Sequence, residues 1–85
     1  MIIDYDSHAL NRLIKRSCYL GIDQEEAFIR VRETLAESRR SKTKHSKRNH
    51  VYYKYYYDNI SFFVVVHKHN ICWIIKTVII KRGRE

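Results

Sequence analysis

Residues 51–81, VYYKYYYDNISFFVVVHKHNICWIIKTVIIK, decide the fold. Aromatic and β-branched side chains dominate this stretch, and these suit a pleated, half-buried surface. Over 51–57, Tyr53, Tyr55 and Tyr57 alternate with Tyr52, Lys54 and Tyr56, which predicts a strand with two unlike faces. Asp58-Asn59 is a tight-turn pair and 68–70 form another turn. Strands are therefore expected over 60–67 and 71–81, the last long, mostly apolar and central.

Upstream the period changes from two to 3.6. A short apolar lead-in, Ile2-Ile3-Asp4-Tyr5, is a candidate strand. Asp6 or Ser7 can cap a helix, its oxygen accepting a first-turn amide. Leu10, Leu13, Ile14 and Cys18 then fall at i, i+3, i+4 and i+8 as one apolar stripe. Gly21 is placed to end that helix in a left-handed conformation. Asp23 and Glu26 form a capping-box-like opening to a second helix, with Ala27, Phe28, Val31 and Leu35 inward and Arg30, Arg32, Glu33 and Glu37 facing water. The fold class expected is α+β: two N-terminal helices packed on one face of an antiparallel three- to four-stranded sheet.

Residues 38–50 hold no apolar side chain, and this composition predicts a basic, mobile loop. The chain has 85 residues, room for one small domain over 1–85. Proline is absent and there are only two glycines, which excludes long flexible linkers and glycine-rich phosphate loops. The longest apolar runs are only five residues, as at 62–66, far short of the ~18–20 residues of a membrane span. Residues 1–4 lack the basic start of a signal peptide, and Met1 favours a free-standing product. Cys18 and Cys72 have neither zinc nor redox-pair spacing and are expected to be small buried hydrophobes in a reducing, cytoplasmic setting.

Charge carries the functional information. Lys and Arg number 17 against nine acids, a net of +8, and the halves differ. Residues 1–37 hold five basic and seven acidic side chains, net −2, whereas 38–85 hold twelve and two, net +10. Such polarity points to a polyanion, with nucleic acid ahead of membrane.

His8 and Arg12 lie four residues apart on one helix face, and Lys15 and Arg16 extend it. An imidazole beside fixed cations suits acid–base work on a phosphodiester without metal or cofactor. The same spacing also fits a solvated helix face. Lys76 and Thr77 interrupt an apolar strand, so they either line a phosphate pocket or place a snorkelling lysine beside an ordinary strand former. Of Tyr52, Tyr53, Tyr55, Tyr56 and Tyr57, two or three are expected in the core, and any remainder could stack on bases. Arg39, Arg40, Lys42, Lys44, Lys47 and Arg48, with His45 and His50 among them, suit an electrostatic clamp on a phosphate backbone or a solubilising loop. His67 and His69 flank a turn without the neighbours a zinc site needs.

The order Ser7-His8-Ala9-Leu10-Asn11-Arg12, then Gly21-Ile22-Asp23, a basic loop, an aromatic strand and a closing Ile75-Lys76-Thr77-Val78 resembles one group of small domains. These open on His-Ala-x-x-Arg, end on a Val/Ile-x-Thr-Val strand, and are grouped with the RelE, ParE and BrnT toxins in the barnase/EndoU/colicin/RelE class. The resemblance spans about Asp4 to Ile80. It implies a metal-independent endoribonuclease that inhibits growth and is held by a cognate antitoxin or immunity protein. Carried over by position, His8 and Arg12 match the opening, Arg16 a second arginine four residues on, and Thr77 the closing strand. On this reading His8 is general acid or base, Arg12 and Lys76 stabilise the phosphorane, and Thr77 hydrogen-bonds the phosphate or positions a base. The unusually basic 39–48 loop points to a larger substrate such as tRNA. The rival expectation is a non-catalytic basic module binding RNA or a protein partner.

Overall fold

The computed structural model describes residues 2–37, 39–42 and 48–85. Lys44, His45 and Lys47 lie outside the described residues. The elements are β1 (Ile2–Tyr5), α1 (Ser7–Tyr19), α2 (Gln24–Glu37), β2 (Asn49–Tyr55), β3 (Ile60–His69) and β4 (Cys72–Arg82).

The architecture is α+β, with four strands in the order β1-β4-β3-β2. β2, β3 and β4 form the expected antiparallel meander. The sheet as a whole is mixed, because β1 pairs parallel to β4, Ile2 opposite Cys72 and Tyr5 opposite Ile75. That pairing joins residues some 70 positions apart, and a period-two pattern carries no information on strand direction. Asn59 and Asn70, both with positive φ, make the two hairpin turns.

Asp6 caps α1, its carboxylate accepting from the His8 amide at 2.9 Å. At the other end the Ile22 amide reaches the Ser17 carbonyl (2.8 Å) and the Gly21 amide the Cys18 carbonyl (3.0 Å). This paired closure needs a left-handed residue, which Gly21 supplies with φ 73°.

The face α1 buries differs from the expected stripe. Ala9, Leu13 and Ser17 are buried, whereas Leu10 and Cys18 are exposed. Small Ala9 and Ser17 let the helix approach β4 closely, rotating the larger Leu10 and Cys18 outward. Cys18 is thus no core residue; Cys72 is half-buried, with its thiol near Asp4. In α2, Ala27, Val31 and Leu35 point inward as expected, and so does Arg30, which is 4% exposed rather than water-facing. Its Nε bonds Glu26 at 2.8 Å and its two terminal nitrogens take Asp58 at 3.2 and 2.8 Å.

Both helices contribute to one apolar cluster with Tyr52, Tyr56, Phe62, Val64, Val66, Ile75, Val78 and Ile80, so both cover the same sheet face. Each fully buried Leu, Val, Ile or Phe there adds about 1.5–3 kcal/mol. Val51, Tyr53, Phe63 and Val65 cluster on the other face. Tyr52, Tyr53 and Tyr56 are therefore core, and Tyr57 is 92% exposed.

The expected loop is shorter than its composition suggests. Asn49 and His50 belong to β2, and Arg39–Ser41 runs beside its outer edge: the Tyr53 amide bonds the Arg39 carbonyl (2.8 Å) and the Ser41 amide the Val51 carbonyl (2.9 Å).

Candidate functional site

The site forms where β1 stops. β1 covers the edge of β4 only as far as Ile75, and the Asp6 amide takes the Ile75 carbonyl at 3.0 Å. Beyond it no strand among the described residues pairs with that edge of β4, and α1, which starts immediately after Asp6, reaches it with side chains such as Arg16. A β-bulge sits at this point. Val65 pairs with Thr77 and Val66 with Ile75, leaving Lys76 as the extra residue. Bulges re-aim side chains. This one explains how a lysine interrupts an apolar strand without being buried: Lys76 turns outward and its ammonium meets the Asp6 carboxylate at 3.0 Å.

Next to it two guanidiniums converge on one hydroxyl. Arg12 Nη1 lies 3.3 Å and Arg16 Nη1 3.5 Å from Thr77 Oγ1, and Arg16 also donates to the Val78 carbonyl. Among the described residues neither arginine forms an ion pair. Burial, and then the neighbouring Arg12 charge, lower the Arg16 pKa below its ordinary value, though a guanidinium stays protonated at neutral pH. Thr77 itself is buried. Two cations a helical turn apart, sharing a neutral oxygen, form a concentration of positive charge whose guanidinium geometry is suited to charge-assisted bonds with an anion such as phosphate.

His8 stands one turn before Arg12 at the helix start, exposed, and its imidazole makes no hydrogen bond among the described residues. Asp6 lies between His8 and Lys76. The His8 amide first, and then Lys76, hold its carboxyl below the usual range. Of the expected catalytic set, His8, Arg12, Lys76 and Thr77 are thus brought to one edge, with Arg16 beside them. Lys76 is engaged by a carboxylate, whereas Arg12 and Arg16 are not.

The basic segment stands elsewhere. Arg39, Arg40, Lys42 and Arg48 are all exposed near β2, at the opposite side of the sheet from β4's open edge, with β3 between. Arg40 lies over the Tyr52 ring at 5.6 Å, and the Lys42 amide bonds Glu85 at 2.6 Å. Tyr52 in turn stacks on Trp73 at 5.6 Å, with the Lys68 ammonium 4.2 Å from the indole centre. His50 sits in this second basic region, its pKa lowered by burial first and then by Arg40, Lys68 and His67.

One part of the edge was not singled out from sequence. Past Arg16, α1 and β4 open into a cleft of about 570 Å³ over Leu20 and Ile80, bordered by Lys15, Arg16, Lys81 and Arg82. Tyr19, 89% exposed, stands at its mouth. The available signal was the run Lys15-Arg16 followed by a tyrosine three residues after Arg16, which one helix face gathers.

Among the described residues no group of three or more His, Cys, Asp or Glu side chains comes together to hold a metal. No helix among them is long and apolar enough to cross a membrane. Comparison with known protein families, curated proteins and solved structures finds no match to this chain.

Proposed function

We propose that this chain is a metal-independent endoribonuclease of the RelE-like toxin type, acting on RNA at the open edge of β4. The observation that carries the reading is the Arg12–Arg16 pair, converging on Thr77 with no carboxylate on either guanidinium among the described residues. A phosphodiester placed there gains two charge-assisted contacts, and its developing phosphorane charge is stabilised by the same groups. The 2′-oxygen bonds phosphorus as the P–O5′ bond breaks, leaving a cyclic phosphate and a free 5′-hydroxyl. His8 takes the 2′ proton or gives one to the 5′-oxygen, and water serves the other oxygen. Thr77 orients the phosphate, and Lys76 adds positive charge from its pair with Asp6. Arg39, Arg40, Lys42 and Arg48 hold more distant backbone, which suits a folded substrate such as tRNA. A growth-inhibiting enzyme of this kind works in the cytoplasm and is held there by an antitoxin or immunity protein.

A second reading has its own support. Nothing among the described residues orients the His8 imidazole, as a non-catalytic RNA-binding module would allow. Cleavage of total RNA in EDTA, wild type beside His8→Ala, separates the two. Discrete fragments from wild type and none from the variant are expected. Intact RNA from a folded wild-type protein would remove the catalytic assignment.

A further inference from the structure

We infer that the cleft beyond Arg16 is a nucleobase subsite, in which an unpaired base of single-stranded RNA stacks on Tyr19 while its phosphate lies on Arg12 and Arg16. The inference rests on the RNA reading above and names the part of the substrate that reading leaves unplaced. Three observations carry it. The cleft, about 570 Å³, is of a size that takes small planar ligands, and its base is the apolar pair Leu20 and Ile80. Arg16 belongs both to this cleft and to the cation pair at Thr77, so a ligand filling both needs a charged group and a flat, stackable one joined by a short spacer, as the sugar joins phosphate to base. That is the chemistry of a nucleotide.

Third, none of the residues lining the cleft is acidic, and the cations Lys15 and Arg82 stand at its border. Tyr19 is the most exposed aromatic of the helical layer, although a ring of that size gains substantially from being covered. An aromatic held in the open beside cations is the arrangement on which bases stack without sequence preference. Lys81 contributes its stem rather than its charge, because its ammonium lies 5.2 Å from the centre of the Phe63 ring.

The test uses the full chain and a labelled RNA hexamer with 2′-O-methyl groups, which cannot be cleaved, read by fluorescence anisotropy. Tyr19→Ala should weaken binding about tenfold, the range for losing one stacked base, and Tyr19→Phe should restore it. Removing single bases from the hexamer should weaken wild type at one position and leave Tyr19→Ala indifferent there. Wild-type affinity in Tyr19→Ala, with binding lost in Arg12→Ala/Arg16→Ala, would overturn the subsite and leave the RNA reading standing. No binding by wild type would overturn both. Equal displacement of the hexamer by an acidic peptide, together with indifference to base removal, would assign the cleft to a protein partner and overturn the inference.

Discussion

Arg30 and the Arg12–Arg16 pair use the same side chain for opposite ends. Arg30 is buried with its charge answered inside the fold: Glu26 and Asp58 take its nitrogens, and Tyr56 lies beneath it with its ring centre at 4.5 Å. Burial alone would lower its pKa, but the bonds from Asp58 and Glu26 outweigh burial and raise it. At Arg16 burial and a neighbouring cation both push downward, and no acid reverses them. One arginine completes the structure. The other two, exposed and half-buried, meet no carboxylate among the described residues. Counting cations along the sequence cannot separate these cases, because the difference lies in what faces each guanidinium.

The largest effect is expected on the structural side of this contrast. Arg30→Ala strands Asp58 and Glu26, uncovers Tyr56 and opens space beneath α2. Breaking a fully buried pair costs about 3–5 kcal/mol, and because both carboxylates here are partly exposed the loss should be nearer about 2 kcal/mol. For a domain of this size that lowers Tm by roughly 8–16 °C, readable by circular dichroism. Arg30→Lys should recover only part, since an ammonium cannot form the fork to Asp58. A shift under about 2 °C would mean that the internal carboxylates contribute nothing, and the contrast would collapse.

The opposite pattern is expected at the edge. Arg12→Ala/Arg16→Ala should stay within about 1 kcal/mol of wild type in stability, because removing two like charges offsets the lost bonds to Thr77 and Val78. Its RNA binding should fall. The slope of log affinity against log salt should drop by about 1.4, at ~0.7 per phosphate contact on a single strand. A stability loss as large as that of Arg30→Ala, with an unchanged salt slope, would make the pair structural and sharpen the comparison against the RNA reading.

Much of the fold was legible because it rests on local patterns. The 3.6-residue period marked both helices, the aromatic alternation and two turn signals marked the meander, and Gly21 marked the end of α1. What was not legible depends on long-range partners. Nothing near Arg30 announces Asp58, 28 residues on, so its placement among solvent-facing side chains followed from local pattern alone. The bulge at Lys76 is defined only against Val65 and Val66, and β1's direction only against β4. The stripe of α1 was misread because Ala9 and Ser17 are weak hydrophobic signals yet fit the closest approach to β4. At the site, the His8–Arg12–Arg16 spacing was visible as one helix face. That Thr77 meets the two arginines while Lys76 meets Asp6 was not, because the partners lie 61–70 positions away and the bulge at Lys76 re-aims side chains in a way that period-two alternation does not encode.

The smallest expected effect tests whether the second basic region resembles Arg30 or the edge pair. His50 is half-buried, and its Nδ1 is enclosed without a hydrogen-bond partner among the described residues. Burial first, and then Arg40, Lys68 and His67, set its pKa below the ordinary value of 6.5. The unfolded chain therefore binds a proton at this residue more readily than the folded one. Stability from this group is complete above about pH 6.5 and declines as pH falls toward the lower folded value. Asp6 runs the other way along the scale: its pKa is depressed from 3.8, so its contribution persists until pH falls below about 4 and does not overlap this window. Melting curves at about pH 7.5 and about pH 5.5 should show wild type losing more Tm than His50→Gln, which does not titrate. RNA bound across Arg40 and Lys68 should shrink that difference, because phosphate charge makes protonation of His50 easier in the folded state. If RNA leaves the difference untouched, the cations around His50 serve the fold alone, and the Arg12–Arg16 edge would then carry the anion chemistry by itself.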